Sequence, residues 1–392
     1  HLRFPEFTEE WKETKLGKIA EITKGSGISK DRLSEYGSPC ILYGELYTKY
    51  KSEIINEVYS RTELDSSLLV KSKANDVIIP CSGETAIDIS TARCVPFNNI
   101  LLGGDLNIIR LKNNDGGFFA YQLNGTRKKD IARVAQGVSV VHLYGENLKH
   151  IRVYHPAIEE QKKITRLLSL IDKRIATQNK IIYKLKSLIR GIMVELQKRG
   201  LSNGTWKKVL LSNVLTERNE LNKSLYPVYS VSVIQGIVNQ MEYLGRSFAA
   251  SDTSKYHVVH YGDLVYTKSP TGSFPYGIIK QSYNQNEVAV SPLYGVYEPK
   301  TFSTGVFLHE YFKSELNTLN YLHPLVQKGA KNTINIANQR FLESYVAIPS
   351  NANELLAISK LLCSLNTKLE FLQNILKQSQ GQKQYLLRQM FI

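Results

Sequence analysis

Two long stretches of the chain repeat apolar residues at alternating steps of three and four positions, and each stretch follows a proline. The first covers residues 157–200 after Pro156, and the second covers residues 350–392 after Pro349. This heptad spacing predicts two helices that pair as a coiled coil, each a rod of roughly 60 Å for about 40 residues. The predicted coiled-coil seam comprises Ile164, Leu168, Ile171, Ile175, Ile182, Leu185, Ile189, Ile358, Leu362, Leu365, Leu369, Leu372 and Leu376.

Three polar residues, Gln178, Ser379 and Lys383, interrupt the predicted seam. A polar seam residue penalises wrong alignments of paired helices, so these three could fix the register. Alternatively, they lie near helix ends or in open gaps where no partner covers them. The pattern alone leaves both interpretations open.

The chain also repeats itself, with segments recurring at offsets of 195, 187 and 193 residues. Shared order and nearly constant offset make chance an improbable explanation, so the repeat predicts two related domains. The predicted boundaries are 1–156 and 201–349 for the domains, with helices at 157–200 and 350–392. Because a whole domain separates the helices, the second can return antiparallel to the first. The matching segments are Trp11–Ile19 with Trp206–Val214, Asn75–Ile79 with Gly262–Tyr266, and Ile151–Pro156 with Ser344–Pro349.

The two globular parts are rich in short runs of β-branched and aromatic residues, which is typical of strands. Residues 76–80 and 106–111 are predicted strands of the first part, and 118–124 begins a short helix. Residues 256–260, 263–266 and 292–297 are predicted strands of the second part. The fold class predicted is therefore α+β, with two pseudo-repeated domains that are each followed by a long helix.

Charge points to a polyanionic partner. The 392 residues carry 50 Lys and Arg against 35 Asp and Glu, a formal net charge of +15. Residues 157–204 are the most basic stretch, with 11 basic and four acidic side chains and a net charge of +7. Four cysteines without a CxxC pair predict reduced thiols in a cytoplasmic protein and neither a disulfide framework nor a structural zinc site. The sequence contains no run of about 18 apolar residues, so it predicts no membrane-spanning helix.

Motifs for common catalytic chemistry are absent from the sequence. There is no GxxxxGK[ST] phosphate loop and no HExxH metal motif. There is also no Asn-Pro-Pro-aromatic or Asp-Pro-Pro-aromatic motif, which an amino-methyltransferase acting on adenine or cytosine would need. The sequence therefore predicts a binding protein without a catalytic residue, a resident metal or a cofactor of its own.

The candidate DNA-binding residues lie in polar loops that combine glycine, tyrosine and basic side chains. Backbone N–H groups and lysines suit phosphates, whereas Arg and Lys suit guanine edges and Asn and Gln suit adenine edges. For any single residue, an ordinary solvated loop explains the same pattern. The candidates are Lys24, Ser26, Lys30, Arg32, Tyr43, Tyr47, Lys49, Arg133, Gln136 and Ser139 in the first part, and Tyr229, Lys268, Ser269, Thr271, Ser273, Lys328, Lys331, Asn332 and Asn335 in the second.

With these features, the chain resembles the specificity subunit of type I restriction-modification enzymes over essentially its whole length. The most specific motif is the Pro-x-x-x-Glu-Gln-x-x-Ile stretch from Pro156 to Ile164, followed by the heptads. The second copy departs from it, because Pro349–Leu355 lacks the glutamine. The segments that begin the two repeated domains, at Trp11 and Trp206, add to the resemblance.

The resemblance implies a non-catalytic subunit in which each globular part is a target recognition domain for one half of a split double-stranded DNA sequence. It implies that the helices are a spacer that sets the distance between the half-sites. The implied partners are two modification subunits, which methylate adenine with S-adenosylmethionine, and two restriction subunits, which use ATP and Mg for translocation and cleavage.

Two other classes of protein compete with this interpretation. A stand-alone DNA-binding or modification enzyme with fused recognition domains would need a catalytic motif, and none is visible in the sequence. A coiled-coil adaptor that does not bind DNA would not need the net charge of +15. Binding to random and to selected duplexes would separate the DNA-binding protein from the adaptor.

Overall fold

The computed structural model describes residues 2–246, 249–328 and 334–391. The chain forms two compact units, and each combines one globular part with one half of each long helix. Unit 1 comprises residues 1–180 and 374–392, and unit 2 comprises residues 181–373. Both predicted long helices are confirmed, as α7 at Ile158–Ser202 and α12 at Ala352–Met390. No described helix is long and apolar enough to cross a membrane.

The globular part of unit 1 mixes short strands with short helices. Its helices are α1 (Leu16–Ile19), α2 (Glu45–Thr48), α3 (Ala86–Ile89), α4 (Gly116–Asn124), α5 (Lys128–Arg133) and α6 (Gly145–Lys149). Its strands are β1 (Lys12–Lys15), β2 (Ala20–Lys24), β3 (Ser38–Ile41), β4 (Ser60–Thr62), β5 (Asp76–Pro80), β6 (Ser82–Gly83), β7 (Arg93–Val95), β8 (Leu101–Leu102), β9 (Leu106–Leu111), β10 (Val141–His142) and β11 (Arg152–His155).

Unit 2 repeats this composition. Its shorter helices are α8 (Gln240–Leu244), α9 (Phe302–Tyr311), α10 (Glu315–Leu322) and α11 (Asn338–Phe341). Its strands are β12 (Trp206–Leu210), β13 (Leu215–Glu217), β14 (Tyr229–Ser232), β15 (Gly236–Asn239), β16 (His257–Val259), β17 (Leu264–Tyr266), β18 (Ile279–Gln281), β19 (Val288–Val290), β20 (Gly295–Pro299), β21 (Gln327–Lys328), β22 (Ile334–Asn335) and β23 (Tyr345–Pro349).

The predicted repeat appears in the strand order of the two units. Unit 1 contains an antiparallel sheet in the order β2-β9-β5-β7, and unit 2 contains one in the order β13-β20-β17-β18. In each unit the first strand also pairs with the last, as β1 with β11 and β12 with β23. The two units therefore share one topology as well as short sequence motifs, and the α+β fold class is confirmed.

The two tryptophans of the repeat hold equivalent places in the two cores. Trp11 packs edge-on against Phe118 of α4, with ring centroids 5.5 Å apart. Trp206 packs edge-on against Phe307 of α9, with ring centroids 5.4 Å apart. The phenylalanine lies in each case on the helix that follows the second strand in the sheet order, which is β9 in unit 1 and β20 in unit 2. The recurrence of tryptophan therefore reflects packing.

The strand motif of the repeat is also explained by local structure. The residue before the aspartate has a positive φ, 82° at Asn75 and 93° at Gly262, which asparagine and glycine tolerate best. The buried carboxylate that follows accepts a backbone N–H three residues back, from Lys73 to Asp76 at 2.8 Å and from His260 to Asp263 at 2.9 Å.

Each of these aspartates also binds an arginine, but the arginine comes from a different strand in each unit. Arg110 of β9 donates twice to Asp76, at 2.9 Å and 2.9 Å. Arg218, which follows β13, donates to Asp263 at 2.8 Å and 3.2 Å. The aspartate is thus the constant part of the turn, and the basic partner is interchangeable.

Replacement of Asp76 by asparagine is expected to lower the free energy of unfolding by about 2 kcal/mol, because the change removes two charge-assisted hydrogen bonds. Asp76 is 1% exposed, so water cannot replace the lost acceptor. The measurement is the urea-unfolding midpoint of the full chain, with Glu35→Gln, an exposed position of the same unit, as the control. Equal midpoints for the two variants would contradict this account of the motif.

The long helices run antiparallel, since unit 1 contains the N-terminal half of α7 and the C-terminal half of α12. All thirteen predicted seam residues are buried or half-buried. Several also join the cores of the globular parts, because Ile164 and Leu168 cluster with Phe118, and Ile358 and Leu362 cluster with Phe307. The predicted seam therefore packs against the domains as well as along the helix pair.

The polar seam residues are buried and do not lie in open gaps. Gln178, Ser379 and Lys383 are 9%, 3% and 9% exposed. Within unit 1, Lys383 Nζ lies 2.6 Å from Glu53 Oε2 and 2.6 Å from Asp172 Oδ1. Asp172 also accepts a hydrogen bond from the Tyr121 hydroxyl at 2.7 Å. This buried ionic cluster joins both helices to the globular part, which agrees with a role in fixing the register.

Candidate nucleic-acid interface

One edge of the unit 1 sheet gathers several of the predicted binding residues. Lys24 at the end of β2 lies opposite Asn107, and Pro80 at the end of β5 lies opposite Leu106, so both strands end at the edge where β9 begins. The loop from Gln136 to His142 joins this edge, because Leu143 N donates to the Cys81 carbonyl oxygen at 2.7 Å. We call this surface the unit 1 edge.

The two predicted tyrosines follow β3 towards the same edge. The Gly103 amide donates to the Ile41 carbonyl at the end of β3, which brings Tyr43 and Tyr47 close to the unit 1 edge. The Tyr47 hydroxyl lies near Gly83 of β6, and burial raises the pKa of this phenol. Tyr47 is therefore neutral at physiological pH and can act as a hydrogen-bond donor.

The glycine-rich loop after β2 has a structural role that the sequence did not indicate. The N–H groups of Gly25 and Ser26 donate to the carbonyl oxygens of Leu106 and Leu102 at 3.0 Å each, so these two amides are used within the fold. A Cβ on Gly25 would lie 2.0 Å from the Gly103 carbonyl oxygen, so only glycine fits there. The Ser26 hydroxyl accepts the Val70 amide at 2.8 Å.

Four predicted basic residues lie elsewhere on unit 1, and three of them pair with acids. Lys49 binds the buried carboxylate of Glu45 at 2.6 Å, and Arg133 binds Asp130 at 3.1 Å. Arg32 lies 3.5 Å from Asp31, and Lys30 is exposed at the start of the same 3-10 turn. The tip of the 136–142 loop exposes Ser139.

The corresponding edge of unit 2 carries Lys268. Glu217 at the end of β13 lies opposite Tyr297, and Tyr266 at the end of β17 lies opposite Gly295, so these strands end together as in unit 1. Lys268 follows β17 with a φ of +61°, and burial lowers the pKa of its ammonium group. Asn338 donates to Glu217 at 2.7 Å, which brings the segment after β22 to this unit 2 edge.

The remaining candidates of unit 2 are distributed around a tight turn and a hairpin. Thr271 and Phe274 close the turn with mutual backbone hydrogen bonds of 3.0 Å, and Ser269 and Ser273 are exposed beside it. Tyr229 is half-buried on β14 against a small apolar core. The backbones of Lys328 and Asn335 lie in the β21–β22 hairpin, whereas Lys331 and Asn332 lie outside the described residues.

The structure adds residues to the unit 1 edge that the sequence analysis missed. His142 and Tyr144 are exposed, and their rings stack with centroids 6.2 Å apart. Val138 is 96% exposed at the tip of the same loop. An exposed aromatic pair and an apolar tip suit contact with bases. The pattern of alternating side chains at 141–144 was the signal that could have identified them.

Comparison with known proteins agrees with this arrangement. Residues 8–187 match the family model described as the type I restriction modification DNA specificity domain. The solved structure of the type I restriction-modification system S subunit from M. genitalium matches with a TM-score of 0.66 and 14% sequence identity, over 99% of this chain and 97% of that chain.

The solved HsdS subunit from Thermoanaerobacter tengcongensis matches with a TM-score of 0.39 and 13% identity, over 99% of this chain and 98% of that chain. The likeness to the M. genitalium subunit extends over both units and shows a shared fold. The family model, in turn, covers residues 8–187 and ends within α7. This part of the chain is therefore similar to the type I restriction modification DNA specificity domain, and the chain as a whole shares the fold of the M. genitalium S subunit.

Proposed function

We propose that the chain is the subunit that gives a type I restriction-modification complex its DNA sequence specificity, and that each unit reads one half of a bipartite double-stranded target. The observation that carries this proposal is the repeated topology with dissimilar edges. The same two strands end at the same sheet edge in both units, but the edges present Lys24 in one and Lys268 in the other, within unrelated loops.

Two equal scaffolds with different loops suit an asymmetric target, because the scaffold fixes orientation and the loop side chains select bases. The long helices act as the spacer between the half-sites, and their outward faces dock the modification subunits. This chain contributes binding and no catalytic residue. Methyl transfer from S-adenosylmethionine, and translocation and cleavage with ATP and Mg, belong to two modification and two restriction subunits.

Lys24→Ala and Lys268→Ala are expected to weaken DNA binding and to reduce the dependence of log Kd on log salt by about 1 each, if the ammonium groups contact phosphates. The loss should be similar for all sequences. Binding of the purified chain to selected and random duplexes at several salt concentrations provides the measurement.

Matched controls lie at the opposite ends of the same sheets. Lys18 precedes β2 and Lys300 follows β20, and both side chains are exposed. Lys18→Ala and Lys300→Ala should leave the salt slope unchanged. Equal slopes for all four variants would remove the two edges from the DNA interface, and a chain that does not distinguish selected from random duplexes would contradict the proposed function.

A further inference from the structure

Unit 2 contains a cavity of about 610 Å³ at the place where unit 1 holds its buried ionic cluster. The equivalence follows from the register of the repeat. Lys280 lies opposite Val265 as Arg93 lies opposite Ile78, so Lys280 replaces Arg93. Ile189 lines the cavity at the seam position equivalent to Lys383.

The equivalent of Asp172 is Asn366, and it keeps the equivalent contact to the globular part. In unit 1 Tyr121 of α4 donates to Asp172, and in unit 2 Asn366 donates to Glu310 of α9 at 2.8 Å. Glu310 also pairs with Lys313. The carboxylate of Glu310 is therefore already used by two donors.

Unit 1 fills its site with a segment of its own chain that unit 2 lacks at this place. Glu53 enters the cluster on a segment that lies along β7, where Cys94 N donates to the Glu53 carbonyl oxygen at 2.8 Å. The carboxylate of Glu53 attracts both Lys383 and Arg93. Among the described residues, no backbone segment bridges β18 in the same way, and the turn between β14 and β15 lines an open cavity instead.

Among the described residues, Lys280 is consequently a buried cation that forms no ion pair, and the charges of Lys313 and Glu310 act on it in opposite directions. It is 5% exposed, and no described carboxylate lies within ion-pair distance of its ammonium group. Burial lowers the pKa of Lys280 to about 8. A buried ammonium is costly unless an anion or a set of acceptors compensates it.

Other polar side chains line the cavity as well. Lys186 and Arg190 of α7 add positive charge to the wall, and Glu315 and Glu370 add negative charge. Apolar side chains such as Met193 and Leu369 line another part of the wall. A cavity of this size, with an apolar wall and a few convergent polar groups, has the character of a small-molecule site.

We propose that this cavity binds a small organic anion, a carboxylate or phosphate, whose charge pairs with Lys280. The anionic group takes the role that Glu53 has in unit 1. A bound anion would stabilise unit 2 by mass action, which links the DNA-reading unit to the concentration of a metabolite.

The test is calorimetric titration of the full chain with three probes: malate, a nucleoside 5′-monophosphate and inorganic phosphate. Saturable 1:1 binding of malate identifies a carboxylate ligand, and binding of either phosphate probe identifies a phosphate ligand. Lys280→Met should weaken binding about 10- to 100-fold, the factor supplied by one charged hydrogen bond. Lys280→Arg should retain binding, because unit 1 accommodates arginine at the equivalent position.

Lys223→Met, an exposed lysine of unit 2 that does not line the cavity, is the matched control and should bind as the unaltered chain does. The thermal midpoint should rise with the probe in the unaltered chain and in Lys280→Arg, but not in Lys280→Met. Absence of saturation by all three probes, or equal affinity in Lys280→Met, would overturn the proposal. Acylation of Lys280 gives a further readout. If a partner protein protects Lys280 from acylation and none of the three probes does, the proposal is also overturned.

Discussion

Replacement of Lys383 by methionine is expected to destabilise unit 1 by about 3–5 kcal/mol, the cost of removing one partner from a buried ion pair. Lys383 lies between Glu53 and Asp172, at 2.6 Å from each carboxylate. The side chains of Glu53 and Asp172 are only 11% and 7% exposed. Without the ammonium group, Arg93 is left with two carboxylates, so one buried negative charge is unbalanced.

The size of this effect separates a buried cluster from an ordinary surface ion pair, which contributes about 0–1 kcal/mol. Lys377→Met, on the exposed side of the same half of α12, provides the matched control. The double variant Lys383→Met, Asp172→Asn should recover most of the loss, because Arg93 then balances the charge of Glu53. Urea unfolding of the full chain measures all three. A single variant as stable as the control would contradict the account.

The cluster also predicts a pH dependence. Burial by itself would lower the pKa of Lys383, but Glu53 and Asp172 raise it above the ordinary value of 10.5. A raised lysine pKa gives stability that is present below the ordinary value and is lost as the pH rises through the raised value. The unfolding midpoint of the unaltered chain should therefore fall more steeply above about pH 10.5 than that of Lys383→Met.

Insertion of one heptad into each long helix is expected to change the spacing of the DNA sequence that the chain prefers. This prediction rests on the proposed function. The division of the chain into units places the insertions after Lys180 and after Gln373, where each helix passes from one unit to the other. Duplication of residues 174–180 and 367–373 keeps the heptad phase and leaves the contacts within each unit intact.

Seven residues add about 10.5 Å to an α-helix, or roughly three base pairs of DNA. Three base pairs also rotate the second half-site by about 100° around the duplex axis. The double insertion should therefore either prefer a longer gap or lose tight binding, as measured with duplexes of graded gap length. A single insertion, which the helix pair can loop out, is the control. Unchanged gap preference together with unchanged affinity would refute the spacer role.

The repeat and the long helices could be predicted because their physical requirements restrict the residue types at short, regular intervals in the sequence. Asn75-Asp76 and Gly262-Asp263 recur since a positive φ restricts the first residue and a buried hydrogen-bonded turn restricts the second. Trp11 and Trp206 recur because each fills the same space beside a phenylalanine. Because these constraints act on neighbouring residues, they produce patterns that a short stretch of sequence can show.

Other features had no local signal. The heptad pattern is continuous through residues 180 and 373, so it does not reveal that each helix is shared between two units. Gly25 lies in a loop that its composition marks only as polar, yet its lack of a side chain is required by the Gly103 carbonyl, which is 78 positions away in the chain. The cavity of unit 2 is present because no segment like the one that carries Glu53 in unit 1 lies beside Lys280 among the described residues. A sequence motif cannot indicate such an absence.

The central claim is that each unit reads its own half of a split target, and selection of bound duplexes from a random library tests it most directly. The unaltered chain should select two short conserved blocks separated by a gap of fixed length. A chimaera in which residues 20–142, from β2 to β10, come from a relative of different specificity should change one block and keep the other block and the gap. A single uninterrupted motif, or a change in both blocks, would contradict the account.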